Sequence, residues 1–272
     1  MTDKLHRHAE AALERLRRVK TFILDLDGTF YLGDRILPGS LRLAARLEAL
    51  GKEFVFVTNN SSRQGRYYAD KITRLGLPVQ AGQVFTSGEA TIRYLRRIGC
   101  PRGIWVAGTP DLEEEFRAAG FEPNSTHPAM AVLGFDLGFT YDKLSRLCAL
   151  VRGGTPFIAT HPDLNCPTSG GPVPDCGALA AAVTAATGVR PKVIGKPFPE
   201  MVEAIRDKYG LERDNVAIAG DRLYTDIAMG RAAGILAILV LSGETRPGDL
   251  DGSPHQPDLT LADLGELADL LA

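Results

Sequence analysis

The sequence lacks an apolar run long enough to cross a membrane. Its longest, residues 235–241, suits a buried strand, whereas a membrane-spanning helix needs about 20 apolar residues. Residues 4–20 are basic and helix-prone, but they contain no apolar segment of the kind found in signal peptides. Glu10 and Glu14 also argue against a transit peptide. We therefore expect residues 4–20 to form a solvated leading helix.

Cysteine is scarce, and the four cysteines are scattered at positions 100, 148, 166 and 176. They form no CxxC pair and no metal-type spacing, which predicts free thiols in a reducing cytoplasm.

An excess of one charge sign is also missing, since the net charge is -2 at pH 7. This balance gives no electrostatic reason to expect nucleic acid or an anionic membrane as a partner. The 272 residues are enough for a substantial core and for two domains.

Two aspartates follow the first predicted strand. Residues 22–29 read FILDLDGT, so an apolar run ends in Asp25 and Asp27, then a glycine and a hydroxyl. Near-continuous apolar strands are typical of parallel sheets covered on both faces, and such sheets bind ligands at the carboxyl ends of their strands. Two carboxylates this close repel each other, so a bound cation would keep both ionised. The alternative is a strand followed by an ordinary Asp-Gly turn.

Two more apolar runs end in polar residues. The run at 54–57 is followed by TNNSS at 58–62, whose hydroxyl, amide and backbone N–H groups would form an anion-binding helix start. The alternative for this cluster is a simple helix N-cap. The run at 216–220 is followed directly by Asp221, with Asp226 in the next predicted helical turn.

These strand ends should lie close together. The carboxyl ends of parallel strands share one edge of the sheet, and the first strand would occupy the switch point of the strand order. We therefore expect an oxygen-rich site for a hard cation, best matched by Mg²⁺, with room for a phosphoryl group. Lys196, in a Gly-Lys-Pro turn, would balance the acidic charge, although a lysine in such a turn is more often a surface charge. The residues expected at this edge are Asp25, Asp27, Thr58, Asn59, Asp221 and Asp226.

The alternation of strands and helices predicts two domains. Residues 1–100 and 191–272 would form one core domain, and residues 101–190 would form a compact α/β domain inserted into it. The inserted segment contains a polar loop at 160–172 with three prolines, which we expect to line a site.

The polar clusters, taken in order, resemble the four motifs of the haloacid dehalogenase-like (HAD) hydrolase superfamily. The matching residues are DLDGT at 25–29, Thr58, Lys196 and GDRLYTD at 220–226. Further segments are similar to the NagD-like branch, which includes p-nitrophenylphosphatases and pyridoxal phosphate phosphatases; they are VTNNSS at 57–62, ATHPD at 159–163, VPDCG at 173–177 and GKP at 195–197. The resemblance implies an α/β fold: a Rossmann-like parallel-sheet core, with the larger α/β cap inserted between the second and third motifs.

The resemblance also implies a mechanism and a role for each motif residue. Asp25 would attack phosphorus and become phosphorylated, and Asp27 would act as general acid and then general base. Mg²⁺ would be held by Asp25, by the backbone carbonyl of Asp27 and by Asp221, while Asp226 would orient Lys196 or a metal-bound water. The phosphoryl oxygens would be held by Thr58, Asn59, Asn60 and Lys196. In this superfamily an acid two residues after the nucleophile accompanies phosphate-ester hydrolysis or mutase chemistry, so Asp27 favours a phosphatase.

Specificity should come from the cap loop, where His161, Asp163 and Cys166 are the candidate substrate contacts. Cys166 stands where pyridoxal phosphate phosphatases carry a histidine, so the resemblance does not extend to that substrate. His161 has an alternative role, in which it caps a loop carbonyl. The expected substrate is a small phosphomonoester: a sugar phosphate, a nucleotide monophosphate or p-nitrophenyl phosphate. The alternatives are a phosphomutase and a catalytically silent sensor that binds a phosphometabolite. A homodimer is compatible with the sequence.

Overall fold

The computed structural model describes residues 2–168 and 170–272. The helices are α1 (Thr2–Arg18), α2 (Ser40–Ala49), α3 (Gly65–Arg74), α4 (Ser87–Arg97), α5 (Pro110–Ala118), α6 (Tyr141–Arg152), α7 (Cys176–Thr187), α8 (Pro199–Tyr209), α9 (Ala228–Ala233) and α10 (Leu264–Leu270). The strands are β1 (Thr21–Leu24), β2 (Tyr31–Leu32), β3 (Arg35–Ile36), β4 (Glu53–Thr58), β5 (Val84–Thr86), β6 (Trp105–Ala107), β7 (Ala131–Leu133), β8 (Phe157–Ala159), β9 (Asn165–Cys166), β10 (Val173–Pro174), β11 (Lys192–Val193), β12 (Val216–Gly220), β13 (Leu236–Val240) and β14 (Leu259–Leu261). Within the described ranges, no helix has both the length and the apolarity needed to span a membrane.

The chain forms two compact units, each made of separate stretches of sequence. Unit 1 contains the chain up to Thr58, Ala69–Phe85 and Ile205–Ala272. Unit 2 contains Asn59–Tyr68 and Thr86–Ala204. The boundaries of these units differ from the predicted domain boundaries at residues 100 and 190. The assignment of residues 1–100, 101–190 and 191–272 to core and cap domains stays a prediction.

Unit 1 is built on a six-stranded sheet with the order β14-β13-β12-β1-β4-β5. β1 pairs in parallel with β12 on one side and with β4 on the other, so it occupies the predicted switch point. All residues of β1, β12 and β13 are buried, as expected for parallel strands with both faces covered. This register places the carboxyl ends of β1, β4 and β12 at one edge of the sheet.

Unit 2 has its own sheet, with the order β11-β8-β7-β6. Its strand pairs are parallel, and β6, β7 and β8 are fully buried. Its core includes Phe135, Leu147 and Val183. β11 pairs in parallel with β8 and lies at the edge of this sheet. A unit with a six-stranded parallel sheet and a second, smaller α/β unit confirm the predicted fold class.

Several predicted elements have the bounds expected, and others were missed. The sequence predicts short strands at 84–86, 131–133 and 157–159, and the structure has them as β5, β7 and β8. The sequence also predicts a helix at about 225–233; in the structure it begins earlier, with a π-helical turn at Leu223–Ile227 before α9. The hairpins β2–β3 and β9–β10 have two residues in each strand, too few to give a period-two pattern. β14 was missed because only one of its three residues is fully buried.

Gly39, just before α2, is required by close packing against the start of α10. Its φ is +76°, and a Cβ there would lie 2.0 Å from the backbone nitrogen of Gly265. We expect Gly39→Ala to lower the free energy of unfolding by about 2–5 kcal/mol, because left-handed strain and overpacking add. Urea titration followed by circular dichroism measures the change.

Gly33→Ala is the matched control, since Gly33 also has a positive φ, +56°, but open space around the Cβ position. It should cost only the conformational strain of about 1–2 kcal/mol. Equal losses in the two variants would contradict the packing argument.

Candidate active site

Three buried aspartates of unit 1 form a carboxylate cluster, here defined as Asp25, Asp221 and Asp226. One carboxylate oxygen from each lies within 4.8 Å of the others. Asp25 directly follows β1, and its N–H extends the parallel ladder by donating to the carbonyl of Ala219 at 3.0 Å. Asp221 directly follows β12. The cluster therefore forms where the sequence predicted that strand ends converge.

The loop after β13 fixes the position of Asp221. The backbone N–H of Glu244 donates to Asp221 Oδ2 at 2.7 Å, and the Thr29 hydroxyl donates to Oδ1 at 3.3 Å. The N–H of Thr245 donates to the Asp221 carbonyl at 3.2 Å. Both carboxylate oxygens thus accept hydrogen bonds, which hold the side chain in one orientation.

The side chain of Glu244 is held as well. Its carboxylate accepts from Arg222 Nε at 2.9 Å and from the Tyr224 hydroxyl at 2.7 Å. Arg222 and Tyr224 had no role assigned from sequence. These contacts indicate that they fix the loop whose N–H binds Asp221.

Three glycines leave the space that the carboxylate cluster occupies. A Cβ on Gly28 would lie 2.4 Å from Asp221 Oδ2, and one on Gly243 would lie 2.0 Å from the same atom. A Cβ on Gly220 would lie 2.2 Å from Asp226 Cγ. Gly243 was missed in the sequence analysis. Its position just after the apolar run 235–241, at the same sheet edge as Gly28 and Gly220, is the pattern that could have revealed it.

The carboxylate cluster fits a divalent cation. Three buried carboxylates at this separation repel one another unless a proton or a cation intervenes. The donor set offers oxygen atoms only, which is the preference of Mg²⁺. Asp226 Oδ2 accepts from the backbone N–H of Arg222 at 3.3 Å and from the Thr225 hydroxyl at 3.2 Å. Asp226 lies beside the predicted metal ligands Asp25 and Asp221, and its orienting role stays a prediction.

Asp27 and Thr58 also lie at the carboxyl edge of the unit 1 sheet. Asp27 is half-buried and precedes Gly28, whose φ of +87° closes the turn and whose N–H donates to the Tyr31 carbonyl at 2.8 Å. Thr58 is buried at the end of β4. β4 runs parallel to β1 with Phe56 opposite Leu24, so Thr58 stands beside the segment that contains Asp25.

The remaining predicted phosphate ligands belong to unit 2. Asn59 and Lys196 are both buried, and the carboxamide of Asn59 bonds to the main chain of Lys196. Asn60 is half-buried, and its Nδ2 lies 3.8 Å from Cys166 Sγ. Its Oδ1 accepts from the N–H of Ser62 at 2.9 Å. Their roles in phosphate binding stay predictions.

The proposed specificity residue His161 is fully buried in unit 2. Its Nε2 lies 2.8 Å from Asp175 Oδ1, and its Nδ1 lies 2.9 Å from the Thr160 hydroxyl. Asp175, which the sequence analysis named only as part of VPDCG at 173–177, caps α7 by accepting from the N–H of Cys176 at 2.6 Å. Both ring nitrogens contact protein side chains, a carboxylate and a hydroxyl, rather than the loop carbonyl of the alternative role. Its role in specificity stays a prediction.

Cys176 is not available as a nucleophile at neutral pH. Burial raises the pKa of its thiol to about 12. The thiol contacts the Leu133 carbonyl at 3.4 Å and the Thr160 hydroxyl at 3.7 Å. The thiolate is the reactive form of cysteine, so this buried, protonated thiol is unreactive. It contributes instead to the packing of unit 2.

Family models match both ends of the chain. Residues 22–122 match a model described as haloacid dehalogenase-like hydrolase, and residues 193–267 match a model described as HAD-hydrolase-like. These two ranges contain all four motifs named from the sequence.

Individual relatives match nearly the whole chain. The 4-nitrophenylphosphatase of Thermotoga maritima has a crystal structure that superimposes with a TM-score of 0.90, at 46% identity over 95% of this chain and 99% of that one. NagD from E. coli K-12 gives a TM-score of 0.83 at 31% identity, with 91% and 98% of the two chains covered. The 5'-nucleotidase YutF of Bacillus subtilis is 30% identical over 92% of this chain and 98% of its own length.

The motifs, the parallel sheet with its carboxylate cluster and these matches agree with one another. The chain belongs to the haloacid dehalogenase-like hydrolases, among the NagD and p-nitrophenylphosphatase proteins of that family.

Proposed function

We propose that this protein is a Mg²⁺-dependent phosphatase that hydrolyses a small phosphomonoester through a phosphoaspartyl intermediate. The observation that carries the proposal is the buried carboxylate cluster Asp25, Asp221 and Asp226, with Asp27 two residues beyond Asp25. A cation-binding set and a separate acid next to the nucleophile are what two-step phosphoryl transfer requires. The relatives' names support phosphomonoesters as the substrate class.

Asp25 and Asp27 divide the covalent and the proton-transfer chemistry. A carboxylate oxygen of Asp25 bonds to phosphorus while the bond from phosphorus to the ester oxygen breaks, and Asp27 donates a proton to that leaving oxygen. Asp27, now ionised, then takes a proton from water. The water oxygen bonds to phosphorus, the bond to Asp25 breaks, and inorganic phosphate is released. Splitting hydrolysis in this way replaces one difficult displacement with two easier ones.

The metal site and the phosphate ligands complete the assignment. Asp25, Asp221 and the backbone carbonyl of Asp27 would hold Mg²⁺, with Asp226 beside them. When bound, Mg²⁺ supplies positive charge that offsets the charge on the transferring phosphoryl group. We assign the hydroxyl of Thr58 and the ammonium group of Lys196 to the phosphoryl oxygens.

Two other functions are less well supported by the residues present. A phosphomutase would need a sugar hydroxyl in place of water as the second nucleophile, and mutases of this fold mostly carry the smaller cap after the first motif. A silent sensor has no need of both Asp25 and Asp27.

Among phosphomonoesters, we propose a sugar phosphate, a nucleotide monophosphate or p-nitrophenyl phosphate. The cytoplasmic location and the homodimer stay predictions.

Replacing the nucleophile tests the proposed reaction directly. We expect the wild type to release phosphate from p-nitrophenyl phosphate or from a member of a phosphometabolite panel with Mg²⁺, and to stop with EDTA. Asp25→Asn should lower the rate by at least about 1,000-fold, because the amide cannot form the phosphoenzyme. Phosphate release measured with a colorimetric assay reports both effects.

Asp269→Asn is the matched control, since Asp269 forms an exposed ion pair with Arg42. It should retain wild-type activity. Mg²⁺-dependent release that survives in Asp25→Asn would overturn the nucleophile. Isomerised phosphosugar without free phosphate would identify a mutase, and absence of release from every substrate would overturn the phosphatase.

The two tasks of Asp27 separate when the leaving group is changed. p-Nitrophenolate is a good leaving group that needs little protonation, so the first step should still proceed in Asp27→Asn. The second step should be slow, because the attacking water lacks its general base. We expect a burst of nitrophenol equal to the enzyme concentration, then turnover slowed about 100–10,000-fold. With a sugar phosphate, both steps should be slow and no burst should form. Stopped-flow absorbance measures the burst; an identical loss on both substrates without a burst would contradict the two roles.

Gly243 tests the metal site through Asp221. The Cβ of Gly243→Ala would displace Asp221 Oδ2, which lies 2.0 Å from its position, so the Mg²⁺ affinity should fall about 10–100-fold, as for other residues that support a metal ligand. Gly248→Ala is the control, because nothing lies within 4 Å of a Cβ there. Calorimetric titration with Mg²⁺ measures both affinities. Unchanged affinity in Gly243→Ala would argue against Asp221 as a ligand.

A further inference from the structure

The main chain at Lys196 changes its hydrogen-bonding partner. β11 pairs with β8, and the ladder continues beyond it: the N–H of Ile194 donates to the Ala159 carbonyl at 3.2 Å and that of Gly195 to the Thr160 carbonyl at 2.7 Å. At Lys196 the N–H donates instead to Asn59 Oδ1, at 2.8 Å. A side-chain carboxamide thus replaces the next peptide group of the neighbouring strand, and it satisfies a buried backbone donor.

The same carboxamide also binds the Lys196 carbonyl. Asn59 Nδ2 donates to the Lys196 oxygen at 3.0 Å and to Asp163 Oδ1 at 3.0 Å. A carboxamide nitrogen has two N–H groups, so neither is left to bind a phosphoryl oxygen. The contact with the Asp163 carboxylate oxygen also determines which way the carboxamide points. With the amide reversed, an oxygen would face the Asp163 carboxylate and the Lys196 carbonyl.

The three residues are buried together. Relative exposure is 2% for Lys196, 4% for Asn59 and 6% for Asp163. Gly195 permits the close approach, because a Cβ there would lie 2.6 Å from Asn59 Oδ1 and 2.7 Å from the Thr160 carbonyl oxygen. In a buried site, a polar group without a hydrogen-bond partner costs folding free energy. These hydrogen bonds therefore hold the Lys196 main chain in a single position.

From these contacts we propose that Asn59 and Asp163 are positioning residues for Lys196: Asp163 orients the Asn59 carboxamide, and the carboxamide holds the Lys196 backbone on both sides. The proposal rests on the proposed function, in which the Lys196 ammonium group binds the phosphoryl oxygens. It replaces the expectation that Asn59 binds phosphate and that Asp163 contacts substrate. Fixed placement of a charge matters because a misplacement of about 1 Å costs up to about 100-fold in rate.

A double-mutant cycle separates positioning from direct binding. Asn59→Ala should lower kcat/KM about 10–100-fold in the wild-type background. In a Lys196→Met background it should have no further effect, because the group that it positions is absent. Losses that multiply in the double variant would overturn the proposal, since they would give Asn59 its own contact with substrate.

The conservative variant Asp163→Asn tests whether Asp163 acts only as a hydrogen-bond acceptor for Asn59. The carboxamide oxygen in Asp163→Asn can still accept from Asn59 Nδ2, whereas Asp163→Ala removes the acceptor. We expect Asp163→Ala to lose activity as Asn59→Ala does and Asp163→Asn to recover most of the loss. Equal losses in the two Asp163 variants would mean that its charge acts on substrate, which contradicts the proposal. Asn124→Ala is the control, since its Nδ2 also donates to a carboxylate, Glu113 Oε2 at 3.1 Å, on the surface of unit 2.

A readout without turnover distinguishes failure of this proposal from failure of the proposed function. Acetic anhydride labels lysine amines, and peptide mass spectrometry of the full-length protein gives the labelling rate at Lys196. The rate should rise in Asn59→Ala and Asp163→Ala and stay at the wild-type value in Asn124→Ala. An unchanged rate in both variants overturns the positioning role. If the wild type hydrolyses no phosphomonoester but the rate rises, the positioning contacts stand and the proposed function fails.

Discussion

The repulsion among Asp25, Asp221 and Asp226 is the constraint on which the rest of unit 1 depends. Three buried carboxylates with oxygens within 4.8 Å of one another are stable as anions only with compensation. The chain supplies part of it through N–H and hydroxyl donors, among them Glu244 N–H and the Thr29 hydroxyl. Glycines at 28, 220 and 243 keep the space open. A divalent cation bound to the cluster would supply the remaining compensation.

The parallel sheet brings these carboxylates together. β1 lies between β12 and β4, all three run in the same direction, and each ends in a polar residue at the same edge. β1 and β12 are buried over their whole length, and β4 is buried over its last four residues, so chemistry can occur only where these strands end. The positions of Asp25, Asp221 and Thr58 therefore follow from strand register, and the loops after the strands refine them.

Unit 2 uses buried hydrogen bonds for a different purpose. The His161–Asp175 pair and the Asn59–Asp163–Lys196 contacts are both buried, and both involve residues first regarded as substrate ligands. In each case the polar groups are occupied by the protein itself. Burial together with hydrogen bonds to other protein groups is the feature from which we infer that Asn59 and Asp163 position Lys196.

The sequence alone determined the identity of the motif residues and the strands that carry them. Apolar runs that end in Asp25, Thr58 and Asp221 are local features, and parallel pairing follows from their alternation with helices, so the fold class and the carboxylate cluster could be predicted. Only the tertiary structure decided the partners of Asn59 and His161 and the need for Gly243. Asn59 and Lys196 are 137 residues apart in the chain. No local pattern encodes which side chain saturates a buried backbone group, because that depends on which segments the fold brings together.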